Sequence, residues 1–342
     1  MNRKSYILNI LWVVLMLVAC TADRPYAVTP EPQPSGQAGR GTRFAIYGTT
    51  FPRNATIGLY FCEHEDVAGN DYAAAWSTLS FSEHNIGYNN IEVRKEEDAD
   101  AWSFRNNVVE TWSSALYITA NDNHTTADVF AYAPYVRDAV SPAEIPFVAN
   151  RNNDLMYAEE NATGVNKDMN EQGSGELTLH FRHTLSRISV VLRTKYTTPV
   201  QSDHQLRYIT IRKAGGMTTP LYVSGKFNAI TGTYSNLAEG DSLTADFGSE
   251  SFFSGTAGRD FGVMIYPTEY QADGDLEIVI NVNGFRKVFG IAKEDVKHSD
   301  GITYGFLGGK SYIFNFTVDN YIHFDGAEVL DTWESDQINV TI

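Results

Sequence analysis

Leu177-Thr178-Leu179-His180-Phe181-Arg182-His183-Thr184-Leu185-Ser186-Arg187-Ile188-Ser189-Val190-Val191-Leu192 is the stretch that decides the fold. Leu177, Leu179, Phe181 and Leu185 share one parity, whereas Ile188, Val190 and Leu192 share the other. Successive side chains of a strand point to opposite faces, so one continuous ribbon would bury the first set and expose the second. The change of phase predicts a bulge, or a crossing from one sheet to another, near Ser186.

Working downstream, Leu276, Ile278, Ile280 and Val282 alternate with other residues, as do Tyr312, Phe314, Phe316 and Val318. Both runs predict half-buried antiparallel strands. Upstream, strands are predicted over 43–51, 56–61, 115–119 and 128–133, the last closed by Pro134. Pro52-Arg53-Asn54 separates the first two, and proline cannot donate to a ladder, so this is an exposed turn. The charged run 94–100 predicts a solvated loop, and the polar, glycine-punctuated stretch 150–175 predicts a loop between domains. No segment carries a long helical period, and the 19 Tyr and 19 Phe suit pleated, half-buried surfaces. Short strands at fairly regular spacing indicate sandwiches. The predicted fold class is all-β.

Arg3 and Lys4 precede an apolar run over 7–18, within which Leu17-Val18-Ala19-Cys20 begins. About 18 or more apolar residues are needed to span a bilayer, so the charged start and short run read as a secretory signal. Ala19 directly before a cysteine looks like the lipobox of a bacterial lipoprotein, in which that cysteine becomes the lipidated first residue. Cys20 is therefore expected to carry the lipid, which holds durably when more than one acyl chain is attached. The stretch 21–39 is rich in Pro, Gly, Gln and Ser and reads as a tether. A length of 342 residues, at about 100–200 per domain, suggests two domains. The expected organisation is signal 1–19, tether 20–41, an N-terminal β-sandwich over 42–175 and a C-terminal β-sandwich over 176–342.

The formal charge is −16, and removing 1–19 takes Arg3 and Lys4 but no acid, giving −16 − 2 = −18. Such a surface repels phosphate backbones, so nucleic acid is not an expected partner. Cys20 and Cys62 are the two cysteines. With Cys20 lipidated, Cys62 is alone and no internal disulfide framework is expected.

Gly305-Phe306-Leu307-Gly308-Gly309-Lys310-Ser311 has the look of a phosphate loop, but Tyr304 holds the place of its first glycine. The pattern also runs into a strand where a phosphate loop must open a helix, so it reads as a turn. His180 and His183 are three apart, and on a strand they face opposite ways and cannot share an ion. His64, His84 and His323 lack ligand-like spacing. Asp168, Asn170, Gln172 and Gly173 echo a calcium loop, yet Leu179 stands where a bidentate glutamate should close it. No G-x-S-x-G elbow exists, and sequence nominates no histidine partner for Cys62. No metal, cofactor or enzymatic activity is expected.

The lipobox, the Pro-rich tether, Thr42-Arg43 before a first strand, Asp128-Val129-Phe130-Ala131-Tyr132-Ala133-Pro134-Tyr135, the 179–188 stretch and Gly309-Lys310-Ser311-Tyr312 occur in that order. Together they resemble the fimbrillin (Mfa-like) family of Bacteroidales, the subunits of type V pili. The resemblance implies two tandem transthyretin-like antiparallel β-sandwich domains, export as a lipoprotein to the cell outer membrane, and a surface-exposed location. It further implies cleavage by an arginine-specific maturation protease in the loop after the first strand, loss of that strand, and repair of the groove by another subunit's strand. Cys20 matches the lipidated position, and Arg53 matches the cleavage loop. Arg43 and Arg40 are fallback sites, although cuts there leave the first strand attached. Ile338, Val340 and Ile342 match the place of a C-terminal donor strand, which can equally close the chain's own sheet. An anchor subunit would keep both lipid and first strand. The implied partners are other pilus subunits, the protease, outer-membrane lipid and host or bacterial surface ligands. The alternative reading is a surface-anchored adhesin or glycan-binding lipoprotein, which an exposed aromatic cluster would favour.

Overall fold

The computed structural model describes residues 41–47, 55–65, 90–95, 102–105, 112–113, 116–119, 125–150, 153–158, 176–195, 204–216, 218–248, 253, 255–330 and 337–341. The first strands are β1 (Gly41–Tyr47), β2 (Thr56–Glu65), β3 (Ile91–Lys95), β4 (Trp102–Arg105), β5 (Trp112–Ser113), β6 (Leu116–Thr119), β7 (Thr125–Ala133), β8 (Ile145–Val148), β9 (Met156–Ala158) and β10 (Glu176–His183). Next come β11 (Ser186–Thr194), β12 (Leu206–Lys213), β13 (Tyr222–Asn228), β14 (Thr233–Glu239), β15 (Ser242–Asp246), β16 (Arg259–Ile265) and β17 (Thr268–Glu269). The last are β18 (Leu276–Val282), β19 (Phe285–Gly290), β20 (Gly305–Phe306), β21 (Ser311–Val318), β22 (Ile322–Leu330) and β23 (Gln337–Thr341). The protein is all-β, built from several largely antiparallel sheets.

A ten-stranded sheet runs in the order β5-β4-β3-β2-β7-β9-β10-β23-β1-β6. Two four-stranded sheets follow, β16-β11-β21-β22 and β15-β12-β18-β19, with a three-stranded sheet β14-β13-β8 and the pair β17-β20. The change of phase at Ser186 is the passage between sheets: β10 ends at His183 in the first, and β11 begins at Ser186 in the second. The two four-stranded sheets face each other. Ile188, Val190, Leu192, Phe314 and Phe316 meet Ile209, Ile211, Ile278 and Ile280 in one buried cluster. The Phe289 and Phe316 rings span the layers at 4.7 Å between centroids. Each such side chain, fully buried, contributes about 1.5–3 kcal/mol.

The phosphate-loop lookalike is a turn into β21, and its glycines have a packing role. A Cβ at Gly308 would come within 2.5 Å of the Thr184 carbonyl oxygen, and the Gly309 amide donates to the Leu185 carbonyl at 2.9 Å. The turn thus lies directly on the sheet crossing.

Three expectations are corrected. Arg94 and Lys95 are not in a loop but end β3, where Ile91, Val93 and Lys95 alternate inward and Lys95 is buried. Its hydrocarbon stem lets a lysine complete an apolar stripe. Within the polar stretch after residue 150, Met156–Ala158 forms β9, all three residues buried between β7 and β10. β21 is antiparallel to β22 but parallel to β11, and β18 is buried on both faces, Val279 and Asn281 included.

The outer edges of the sandwich carry guards. The β21–β22 register slips between Asn315 and Phe316 of β21, leaving Asp325 as an extra residue in β22 that accepts a hydrogen bond from Thr317 Oγ1 at 2.6 Å. β19 presents exposed Arg286 and Lys287.

A buried polar network fixes the loop after Pro134. Tyr132 Oη donates to Asn90 Oδ1 at 2.7 Å, and Tyr60 Oη donates to the Ala139 carbonyl at 2.9 Å. Asn90 Nδ2 donates to the Val136 and Ala139 carbonyls, both at 2.9 Å. Burial pushes the phenols of Tyr132, Tyr234, Tyr266 and Tyr270 well above their ordinary value of 10.0. A raised folded value stabilises the fold below the unfolded pKa, and that contribution is lost as pH rises toward the folded values. These tyrosines are therefore expected to stay un-ionised above pH 10 until the protein unfolds. Phenolate absorbance and circular dichroism followed together in alkaline titration should show their ionisation and the loss of structure in one step; early, separate ionisation of all tyrosines would refute this.

Candidate functional site

The segment of most interest is the last strand and its seat. β23 lies inside the ten-stranded sheet, antiparallel to β10 on one edge and to β1 on the other. On the β10 side Leu177 pairs with Val340, Thr178 with Asn339 and Leu179 with Ile338. On the β1 side Ala45 pairs with Thr341, Ile46 with Val340 and Tyr47 with Asn339. β1 divides its pairing, since Gly41 to Phe44 bond to β6 instead, in register with Thr119 to Leu116. The chain's end is thus built into a sheet made by its beginning.

Where β10 faces β23, Leu179 stands opposite Ile338 and is 1% exposed. Further along, β10 pairs with β9 instead, through Phe181 and His183, and buried His183 sets Nδ1 2.6 Å from Asp154 Oδ2. His183 is a core histidine with a carboxylate partner. Backbone ladders recognise any extended chain, and alternate side chains select which chain fits. The seat of β23 has paired backbone on both flanks.

Of the residues singled out in the sequence, Arg43, Ile338 and Val340 are brought onto neighbouring strands, Arg43 within β1 opposite Tyr117. Cys20, Arg40, Arg53 and Ile342, and the calcium-loop lookalike at 168–173, lie outside the described residues. What sequence reasoning missed is β23's two neighbours; alternation in 338–342 shows a strand but not its mates. Among the described residues no three His, Cys, Asp or Glu are grouped so as to hold a metal ion. No helix among them is long and apolar enough to cross a membrane. Phe285 and Tyr321 are largely exposed, each beside a hairpin turn.

These features define an all-β protein whose terminal strand completes the sheet of its first. The chain belongs to the fimbrillin-like family, whose model matches residues 42–338. That membership puts it in the class of pilus subunits, which associate with other subunits at the cell surface. Among solved structures it is similar to a candidate cell adhesion protein from Bacteroides uniformis, with 15% identity, a TM-score of 0.53, and coverage of 84% of this chain and 97% of the other. A second candidate cell adhesion protein, from Bacteroides ovatus, gives 14% identity, a TM-score of 0.50, and coverage of 85% and 91%. The tip fimbrial protein Mfa3 from Porphyromonas gingivalis gives 9% identity, a TM-score of 0.41, and coverage of 86% and 100%. No curated protein matches the chain.

Proposed function

We propose that this chain is a structural pilus subunit, exported as a lipoprotein through Cys20, held on the outer membrane, and matured by an arginine-specific protease that cuts after Arg53. Its two halves, 42–175 and 176–342, act as tandem sandwich domains, with β10 and β23 of the second half completing the large sheet of the first. The cut removes β1, and subunits then join by donating Ile338, Val340 and Ile342 as part of a strand to a neighbour's sheet. The observation that supports this reading is the seat of β23, flanked by β10 and β1. A sheet that has lost β1 has unpaired backbone groups, which a neighbour's strand can satisfy. Its role is structural, with no chemistry of its own.

Limited digestion of the folded full chain with an arginine-specific protease tests this. The expected product is a fragment beginning at Asn54 that forms oligomers, while the Arg53→Gln chain, even if cut at Arg40 or Arg43, yields no such fragment, keeps β1 and stays monomeric. A released fragment that never oligomerises at high concentration would overturn the subunit reading.

A further inference from the structure

We propose that β1 is the clamp that keeps β23 in its own sheet. The inference rests on the strand-exchange reading above and adds what holds the donor back. Three of the eight residue pairings that fix β23 are made with β1, and the other five are made with β10. β1 is itself tied down by four pairings to β6 through its first half, so it grips β23 with only its second half. Remove β1 and β23 becomes an edge strand, held from one side with a row of donors and acceptors facing water. Segments so held open at the low end of the local-unfolding scale.

One event therefore has two consequences. Loss of β1 opens a place beside β23 and loosens β23 from β10. A second copy's β23 can then take the vacated seat with the same five β10 pairings, so the exchange conserves that ladder. Reach adds a limit. Six residues, 331–336, separate the end of β22 from the start of β23. They extend at most about 25 Å, so the receiving β10 must lie close to the donor's own β22.

The test is amide hydrogen exchange on the full chain. Ile46→Pro puts a residue that cannot continue a ladder into β1 opposite Val340 and leaves the residues of β23 and β10 unaltered. Amides 337–341 are expected to exchange about tenfold faster or more, with β11 and β18 amides unchanged. Unchanged exchange at 337–341 would overturn the clamp. Should that variant fail to fold, the Ala45→Cys/Thr341→Cys pair in a Cys20→Ser/Cys62→Ser background supplies the converse. Its oxidised form should exchange 337–341 more slowly than its reduced form, and equal rates would overturn the clamp. Mixing Leu177→Cys and Val340→Cys chains, each also carrying Ile46→Pro, Cys20→Ser and Cys62→Ser, reports separately on donation. Fast exchange with no disulfide between copies would keep the clamp and refute the strand-exchange reading instead.

Discussion

Val340→Pro is expected to abolish assembly of the matured chain. Val340 is paired on both edges, with Leu177 of β10 and Ile46 of β1, which makes it an interior position of the sheet. Proline has no amide proton to give, and its ring cannot be accommodated between two ladders, so it is confined to edges and bulges. A buried carbonyl left without its donor costs about 1–3 kcal/mol. That alone shifts an equilibrium by about five- to 150-fold, before the steric clash is counted. Light scattering on Asn54-starting protein should show oligomers for the parent and monomer for the variant. Oligomers of parental size would remove β23 from the assembly mechanism.

The second large effect belongs to the sandwich. Phe316→Ala is expected to destabilise the fold by about 3–5 kcal/mol, the cost of deleting a fully buried ring and leaving a cavity. Phe316 is fully buried, with the rings of Phe289 and Phe324 at 4.7 and 5.4 Å. In denaturant the midpoint should fall with the slope unchanged. Phe285→Ala is the matched control. Its ring is 79% exposed, so the change should stay within about 0.5 kcal/mol. A Phe316→Ala midpoint equal to that of the control would mean that the two sheets do not pack through this ring.

Much of this architecture is written in local periodicity. Ile188, Val190 and Leu192 alternate because each fills the space between two sheets, and all three are fully buried. The phase change before them marks the crossing because a ribbon cannot turn its apolar side over without leaving its sheet. Pro134 marks the end of β7 because it cannot continue a ladder. Other features have no short-range signal. β9 is three residues long, too few to show a period of two. Lys95 looks like the start of a charged loop, because its stem packs where its charge suggests solvent. The site was legible only as a lone strand. Pairing Leu179 with Ile338 joins residues far apart in the chain, and alternation says nothing about which distant strand supplies the mate.

The slipped register at Asp325 in β22 and the charged pair Arg286 and Lys287 on β19 bear on the shape of what such subunits build. Kinks and charges on outer strands discourage sideways zipping into amyloid-like stacks. A subunit that exchanged strands in the way proposed above would need that protection more than most. Under the proposed strand exchange, blunting these two flanks would favour a head-to-tail joint, and a joint of that kind that does not close on itself builds an open filament.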